Sequence, residues 1–235
     1  SDTMSYAWEG TRAFESTGKV DSFRVVAGLY AESVQLVTMD PSIKTPADLK
    51  GKAVSIGAPG SGVYFNAIDV LNAAGLTEND ISAQYQSFAD SADALKDGKI
   101  DAAFVVAGAP TPAITELCTT NSAYLVPIDG AVADAMMASC PFYTTYQIPA
   151  GTYPGQDEDV TTVTVKATLI VSSSASEDDV YKLTAAIFDN AADIAKENGK
   201  GAELSLENAT SGMTAPFHKG AAKYFAEKGI TVDAQ

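Results

Sequence analysis

The chain is poor in metal-binding side chains, with one histidine, His218, and two cysteines, Cys118 and Cys140, among its 235 residues. That scarcity excludes multi-histidine zinc sites, four-cysteine zinc sites and iron–sulfur clusters. Basic residues are also few: 15 Lys and Arg stand against 30 Asp and Glu, a formal charge of −15. A surface so acidic repels phosphate backbones and anionic headgroups, so nucleic-acid binding and polybasic membrane docking are excluded as expectations. Apolar runs are short, and none approaches the roughly 20 residues of a spanning helix. What is present is 46% hydrophobic and 19% charged residues, the composition of a folded globular chain rather than a disordered one. The two cysteines either pair, as in an exported protein, or serve as small buried hydrophobes.

Strand-like and helix-like segments alternate along the chain. Phe23–Tyr30 and Val34–Thr38 are rich in β-branched and aromatic residues, and Ala53–Ile56 is a short apolar run bounded by glycine. Thr45, Pro46 and Asp48 carry a helix-start signature before Gly51. Val63, Ala67, Val70, Leu71 and Ala74 recur at helical spacing up to Gly75. A short helix is expected over 89–96, a strand over 100–106, a helix from Ala113 behind Thr111-Pro112, a strand over 124–128, and a helix from Asp129 to Ser139. Residues 141–162, with four prolines and glycines in 149–155, have the composition of loop or linker. A strand over 161–171, one long helix over 177–198 capped by Ser176, and a last helix over 217–228 complete the pattern. This alternation predicts an α/β fold with a mostly parallel sheet. Its two interruptions predict two lobes joined by two crossing segments, residues 1–37 with 163–235 and residues 38–162, enclosing a cleft for a small ligand.

Gly57-Ala58-Pro59-Gly60-Ser61-Gly62 lies between a buried strand and a helix. Such a turn leaves backbone N–H groups at a helix N-terminus, where the dipole favours an anion. Gly60, Ser61, Gly62 and the N–H of Val63 are therefore candidate ligand contacts, and the alternative is a plain turn with Ser61 as N-cap. The loop has no P-loop lysine and does not fit G-x-G-x-x-G, which disfavours nucleotides. Gly108, Ala109, Pro110 and Thr111 form a second loop between a buried strand and a helix, a candidate pocket wall because ligands gather at the carboxyl ends of strands in open α/β sheets; the alternative is helix capping alone. Tyr153, held in Pro149–Gly155, is a third candidate, whereas Tyr143 and Tyr146 read as packing aromatics. His218 reads as structural, Asp157-Glu158-Asp159 as a solvated acidic loop, and no nucleophile motif is present.

Several segments together resemble the TAXI family of solute receptors, the extracytoplasmic binding proteins of tripartite ATP-independent periplasmic (TRAP) transporters. They are Ser1-Asp2, Ile43–Gly62, Ile100–Phe104 with Gly108 and Pro110, Pro141–Tyr143, Ile148–Asp157 and Phe217–Tyr224. The resemblance implies a type II periplasmic-binding-protein fold and no catalysis. It implies capture of a small carboxylate such as glutamate or 2-oxoglutarate, delivery to TRAP permease subunits, an extracytoplasmic location, a monomer and no cofactor. It further implies that a strand, a glycine-rich turn and a long helix would precede Ser1. Amino-acid receptors of this fold often place an acid just after the strand matching 102–106, and Val105–Gly108 offers none, which favours a carboxylate without an α-amino group. The alternative is an enzyme on the same two-lobed fold acting on a small anion, although no positioned acid, base or nucleophile set is recognisable.

Overall fold

The computed structural model describes residues 1–235 throughout. It is a mixed α/β protein with two compact units, one of Ser1–Ala31 with Lys166–Gln235 and the other of Glu32–Val165. The strands β1 (Phe23–Thr38) and β7 (Val160–Ser172) each contribute to both units. The expected divisions at 37/38 and 162/163 lie inside these two strands, whereas the units divide at 31/32 and 165/166.

In the unit of residues 32–165, β2 (Ala53–Ser55), β3 (Ser82–Gln84), β4 (Ala102–Ala107), β5 (Tyr124–Val126) and β6 (Thr144–Ile148) join β1 and β7 in one sheet. Its order is β3-β2-β4-β1-β7-β6, with β5 also paired to β1. β2–β3 and β2–β4 are parallel. β1 runs antiparallel to β4 and β5, and β6 antiparallel to β7, so the sheet is mixed rather than mostly parallel. The helices α2 (Gly62–Ala73), α3 (Phe88–Lys96), α4 (Pro112–Thr120) and α5 (Gly130–Ser139) belong to the same unit. Val34, Leu36, Val54, Ile56, Val70, Leu71, Phe104 and Ile128 form one fully buried core cluster. Burying each large aliphatic side chain is worth about 1.5–3 kcal/mol, and a second buried cluster around Val37, Leu95, Ile114, Leu117 and Ile148 adds to this one in the same unit.

β6 lies within the stretch expected to be loop. Pro141, Pro149 and Pro154 flank the strand without entering it, and Thr144–Ile148 pairs in full register with Val160–Thr164. The Thr45-Pro46-Ala47-Asp48 signature forms a single 3₁₀ turn with a complete capping box, as proline at the first helical position allows. Thr111 and Asp129 start α4 and α5 without side-chain cap bonds.

The other unit holds α1 (Asp2–Glu9), α6 (Glu177–Asp189), α7 (Ala191–Glu197), α8 (Leu206–Thr210) and α9 (Lys219–Glu227) beside the outer parts of β1 and β7. Its core gathers Val25, Val26, Ala27, Val180, Phe217, Ala221, Tyr224 and Phe225. The helix expected over 177–198 is two, because Asn190 leaves the helical region at φ −112°, ψ 16° and its side-chain amide donates to the Ala186 carbonyl. Asparagine competes for backbone groups in this way and breaks helices. α6 and α9 pack at Gly220, where a Cβ would lie 2.2 Å from the Glu177 carbonyl oxygen and 2.7 Å from the Tyr181 nitrogen.

Candidate functional site at the carboxyl edge of the sheet

β2, β3 and β4 are mutually parallel neighbours, so their carboxyl ends share one edge of the sheet. Each is followed by a short loop and a helix: 56–61 then α2, 85–87 then α3, and 108–111 then α4. These three loops contain no charged residue of their own, so backbone dipoles and helix N-termini contribute to the field at this edge, beside the carboxylates of Glu78 and Asp90 that accept from the Tyr85 and Ser87 hydroxyls.

The first loop is built by glycine. Gly57 has φ +77°, and a Cβ there would sit 2.8 Å from that of Val63; Gly60 has φ +76°. Ala58, Pro59 and Gly60 are exposed. The Ser61 hydroxyl donates to the Ala58 carbonyl at 2.7 Å and accepts from the Tyr64 N–H at 3.2 Å, capping α2. The Ser61 N–H also turns back to Ala58, at 3.0 Å. Ser61 therefore shapes the loop, and the N–H groups of Gly62 and Val63 are left facing no acceptor within the protein. At the second loop, Ser87 caps α3 through the Asp90 N–H. The neighbouring Gln86 has its side-chain oxygen withdrawn from solvent with no donor.

The third loop is held from below. Thr111 is 5% exposed and Tyr153 2%, so the tyrosine ring is buried rather than presented to solvent. The Thr111 N–H donates to the Tyr153 hydroxyl at 2.8 Å, and the Thr111 hydroxyl donates to the Gly108 carbonyl at 3.0 Å. Gln35 of β1, 1% exposed, completes the cluster: its amide donates to the Thr111 hydroxyl at 2.9 Å and its oxygen accepts from the Tyr153 hydroxyl. Burial raises the Tyr153 phenol above its ordinary range, partly offset by these bonds, so it stays neutral. Gln35 escaped the sequence reading because a lone polar residue in a strand resembles an outward-facing position. Pro110 and Pro112 carry no N–H, and the peptide between Ala109 and Pro110 is cis.

An aromatic pair flanks the first loop. Tyr64, on the first turn of α2, and Tyr85, directly after β3, lie 6.5 Å apart, and both hydroxyls donate to the carboxylate of Glu78. The bond to that carboxylate raises both phenols. Tyr143 is buried, accepting from Asn66 at 2.7 Å and donating to Asp69 at 3.0 Å, and thus ties two positions of α2 to the segment after α5. His218 is 4% exposed and caps α9 through the Gly220 N–H. Its other ring nitrogen lies 3.1 Å from the Ala175 carbonyl, which makes that nitrogen the protonated one. Cys118 and Cys140 are free thiols.

In the unit of residues 1–31 and 166–235, a cleft of about 450 Å³ is bordered by Trp8, Met213–Phe217 and Thr231–Asp233. None of the expected ligand contacts lines it. No helix is long and apolar enough to cross a membrane, and no group of three or more His, Cys, Asp and Glu is placed to hold a metal ion.

Among solved structures, the chain is similar to the periplasmic aliphatic sulphonate binding protein SsuA from Escherichia coli, at 18% identity over 77% of this chain and 48% of that one, TM-score 0.39. It is also similar to the alkanesulfonate-binding protein SsuA from Xanthomonas axonopodis pv. citri bound to MOPS, at 19% identity over 88% and 66%, TM-score 0.44. A third is substrate binding domain 2 of Lactococcus lactis GlnP in an open conformation, at 14% identity over 77% and 62%, TM-score 0.39. The chain spans less than two thirds of the length of each of these three. At the level of sequence families the match runs over residues 1–229, and the protein belongs to the NMT1-like family.

Proposed function

We propose that this chain is the ligand-binding part of an extracytoplasmic solute receptor of the type II periplasmic-binding-protein class. In this reading it captures a small carboxylate and delivers it to a membrane permease without chemical conversion. The observation that carries the reading is the carboxyl edge of the sheet, where three parallel strands each open a helix through an uncharged loop and the Gly62 and Val63 N–H groups have no internal acceptor. Gly60, Ser61, Gly62 and Val63 bind one ligand carboxylate, and Gly108, Ala109, Pro110 and Thr111 form the opposite wall, braced by Tyr153. The fit to a chain of charge −15 is local: amide dipoles in direct contact with the ligand outweigh a distant net charge screened within about 8–10 Å.

Membership of the NMT1-like family supports the receptor class. The TRAP-type permease, the periplasmic or cell-surface location and the preference for glutamate, 2-oxoglutarate or a similar carboxylate rest on the TAXI-like motifs at 43–62 and 148–157. Isothermal titration with glutamate, 2-oxoglutarate, C4 dicarboxylates and methanesulfonate tests the proposal. Saturable binding of a carboxylate, weakened in Ser61→Ala, is the expected result. Binding of the sulfonate alone overturns the ligand class, and turnover of any carboxylate overturns the receptor reading.

A further inference from the structure

The hydrogen bonds beneath the 108–111 loop form a closed ring with only one consistent direction. The Thr111 N–H can only donate, so the Tyr153 hydroxyl accepts it and must pass its own proton onward to the Gln35 oxygen. The Gln35 amide then donates to the Thr111 hydroxyl at 2.9 Å, and that hydroxyl donates to the Gly108 carbonyl at 3.0 Å. The same amide lies 3.4 Å from the Ala107 carbonyl at the end of β4. All three side chains are buried, so water cannot substitute for a lost partner at low cost.

We propose that Gln35 and Tyr153 are positioning residues: by closing this ring they fix the 108–111 loop and the start of α4 in the geometry that receives the ligand. This rests on the carboxylate-receptor reading above. With the Thr111 N–H taken by Tyr153 and no N–H on Pro110 or Pro112, Ala113 and Ile114 are the first amides of α4 left for an anion. A loop able to shift would misplace those amides, and a buried Gln or Tyr at these positions does more than fill space.

Gln35→Glu tests the idea because its effect depends on protonation. A protonated glutamic acid reproduces the ring, with O–H toward the Thr111 hydroxyl and C=O toward Tyr153. An ionised carboxylate has no proton for Thr111 and places a negative charge behind an anion-binding loop. Burial raises the introduced carboxyl above its ordinary range, so lowering pH from about 8 to about 5 restores the ring in this variant.

Position 35 has uncharged neighbours on β4 and in the loops its side chain touches. Val105 lies opposite it on β4, the 108–111 and 149–156 segments carry no charged residue, and the nearest charge on its own strand is Glu32. The Tyr153 phenol and the Cys118 thiol near it are both raised by burial and remain neutral.

The experiment measures affinity for 2-oxoglutarate and hydrogen exchange of residues 107–115 in the unmodified chain, Gln35→Glu and Tyr153→Phe, at several pH values between about 5 and 8. The expected result is roughly tenfold weaker binding and faster Thr111 exchange in Gln35→Glu at the upper end, both recovering as pH falls, with the unmodified chain flat. Tyr153→Phe, which keeps the ring and removes only the hydroxyl, is expected to weaken binding at every pH. Lower thermal midpoints with unchanged affinity in both variants overturn the positioning role. If the unmodified chain binds no carboxylate, the receptor reading falls and takes the positioning role with it, while the exchange data separately report whether the loop is held.

Discussion

Ser61 and Asp40 show how single side chains in this protein work through backbone groups. Ser61 spends its hydroxyl on Ala58 and on the N-terminus of α2. Ser61→Ala is therefore expected to lower stability by about 1 kcal/mol, the usual worth of an N-cap, and to weaken carboxylate binding by releasing the loop. Chemical denaturation and titration calorimetry on one sample check both. Asp40 accepts from the Ser42 hydroxyl and N–H and from Lys52, which lowers its carboxyl to about 2. A group depressed in the folded state contributes above its ordinary value, about 4, and the contribution fades as pH falls toward 2. NMR titration of the Asp40 carboxyl should give a midpoint near 2, and the thermal difference between the chain and Asp40→Asn should shrink over that interval. Ser61 was legible in the sequence as an N-cap because a cap is a local pattern. Gln35 was not, since its partners Thr111 and Tyr153 lie 76 and 118 positions away and nothing in the strand pattern marks which polar residue faces inward.

Elements were legible where their signals are local, and misread where pairing decides. α2 begins behind Ser61 and α6 behind Ser176, as their caps indicate. β6 was hidden by the prolines and glycines around it and exists because Thr144–Ile148 finds Val160–Thr164. The antiparallel course of β1 against β4 was likewise invisible, since alternation fixes the face of a strand and not its direction. Helix packing supplies a prediction at this scale. Gly220 brings α9 against the backbone of α6, and a methyl group there meets backbone atoms that cannot rotate away. Gly220→Ala is expected to destabilise the protein by about 1–3 kcal/mol, the cost of overpacking, despite the higher helix propensity of alanine. An unchanged urea midpoint would show that the two helices separate freely.

At the scale of the molecule, the acidic composition and the proposed anionic ligand are reconciled by where charge is absent. The 30 acidic residues avoid the loops at 56–61, 85–87 and 108–111 altogether. α/β architecture was legible from the alternation of segments, and the loops of the candidate site from their glycines. The brace beneath one loop and the aromatic pair beside another emerged only from tertiary contacts. The central claim, that amides at this edge hold a carboxylate, is tested most directly by titrating the ¹⁵N-labelled chain with 2-oxoglutarate. Saturable shifts of the Gly62 and Val63 amides are expected together with those of Ala109, Thr111 and Ala113. No saturable shift there, or shifts confined to the cleft at Trp8, Met213 and Phe217, would contradict it.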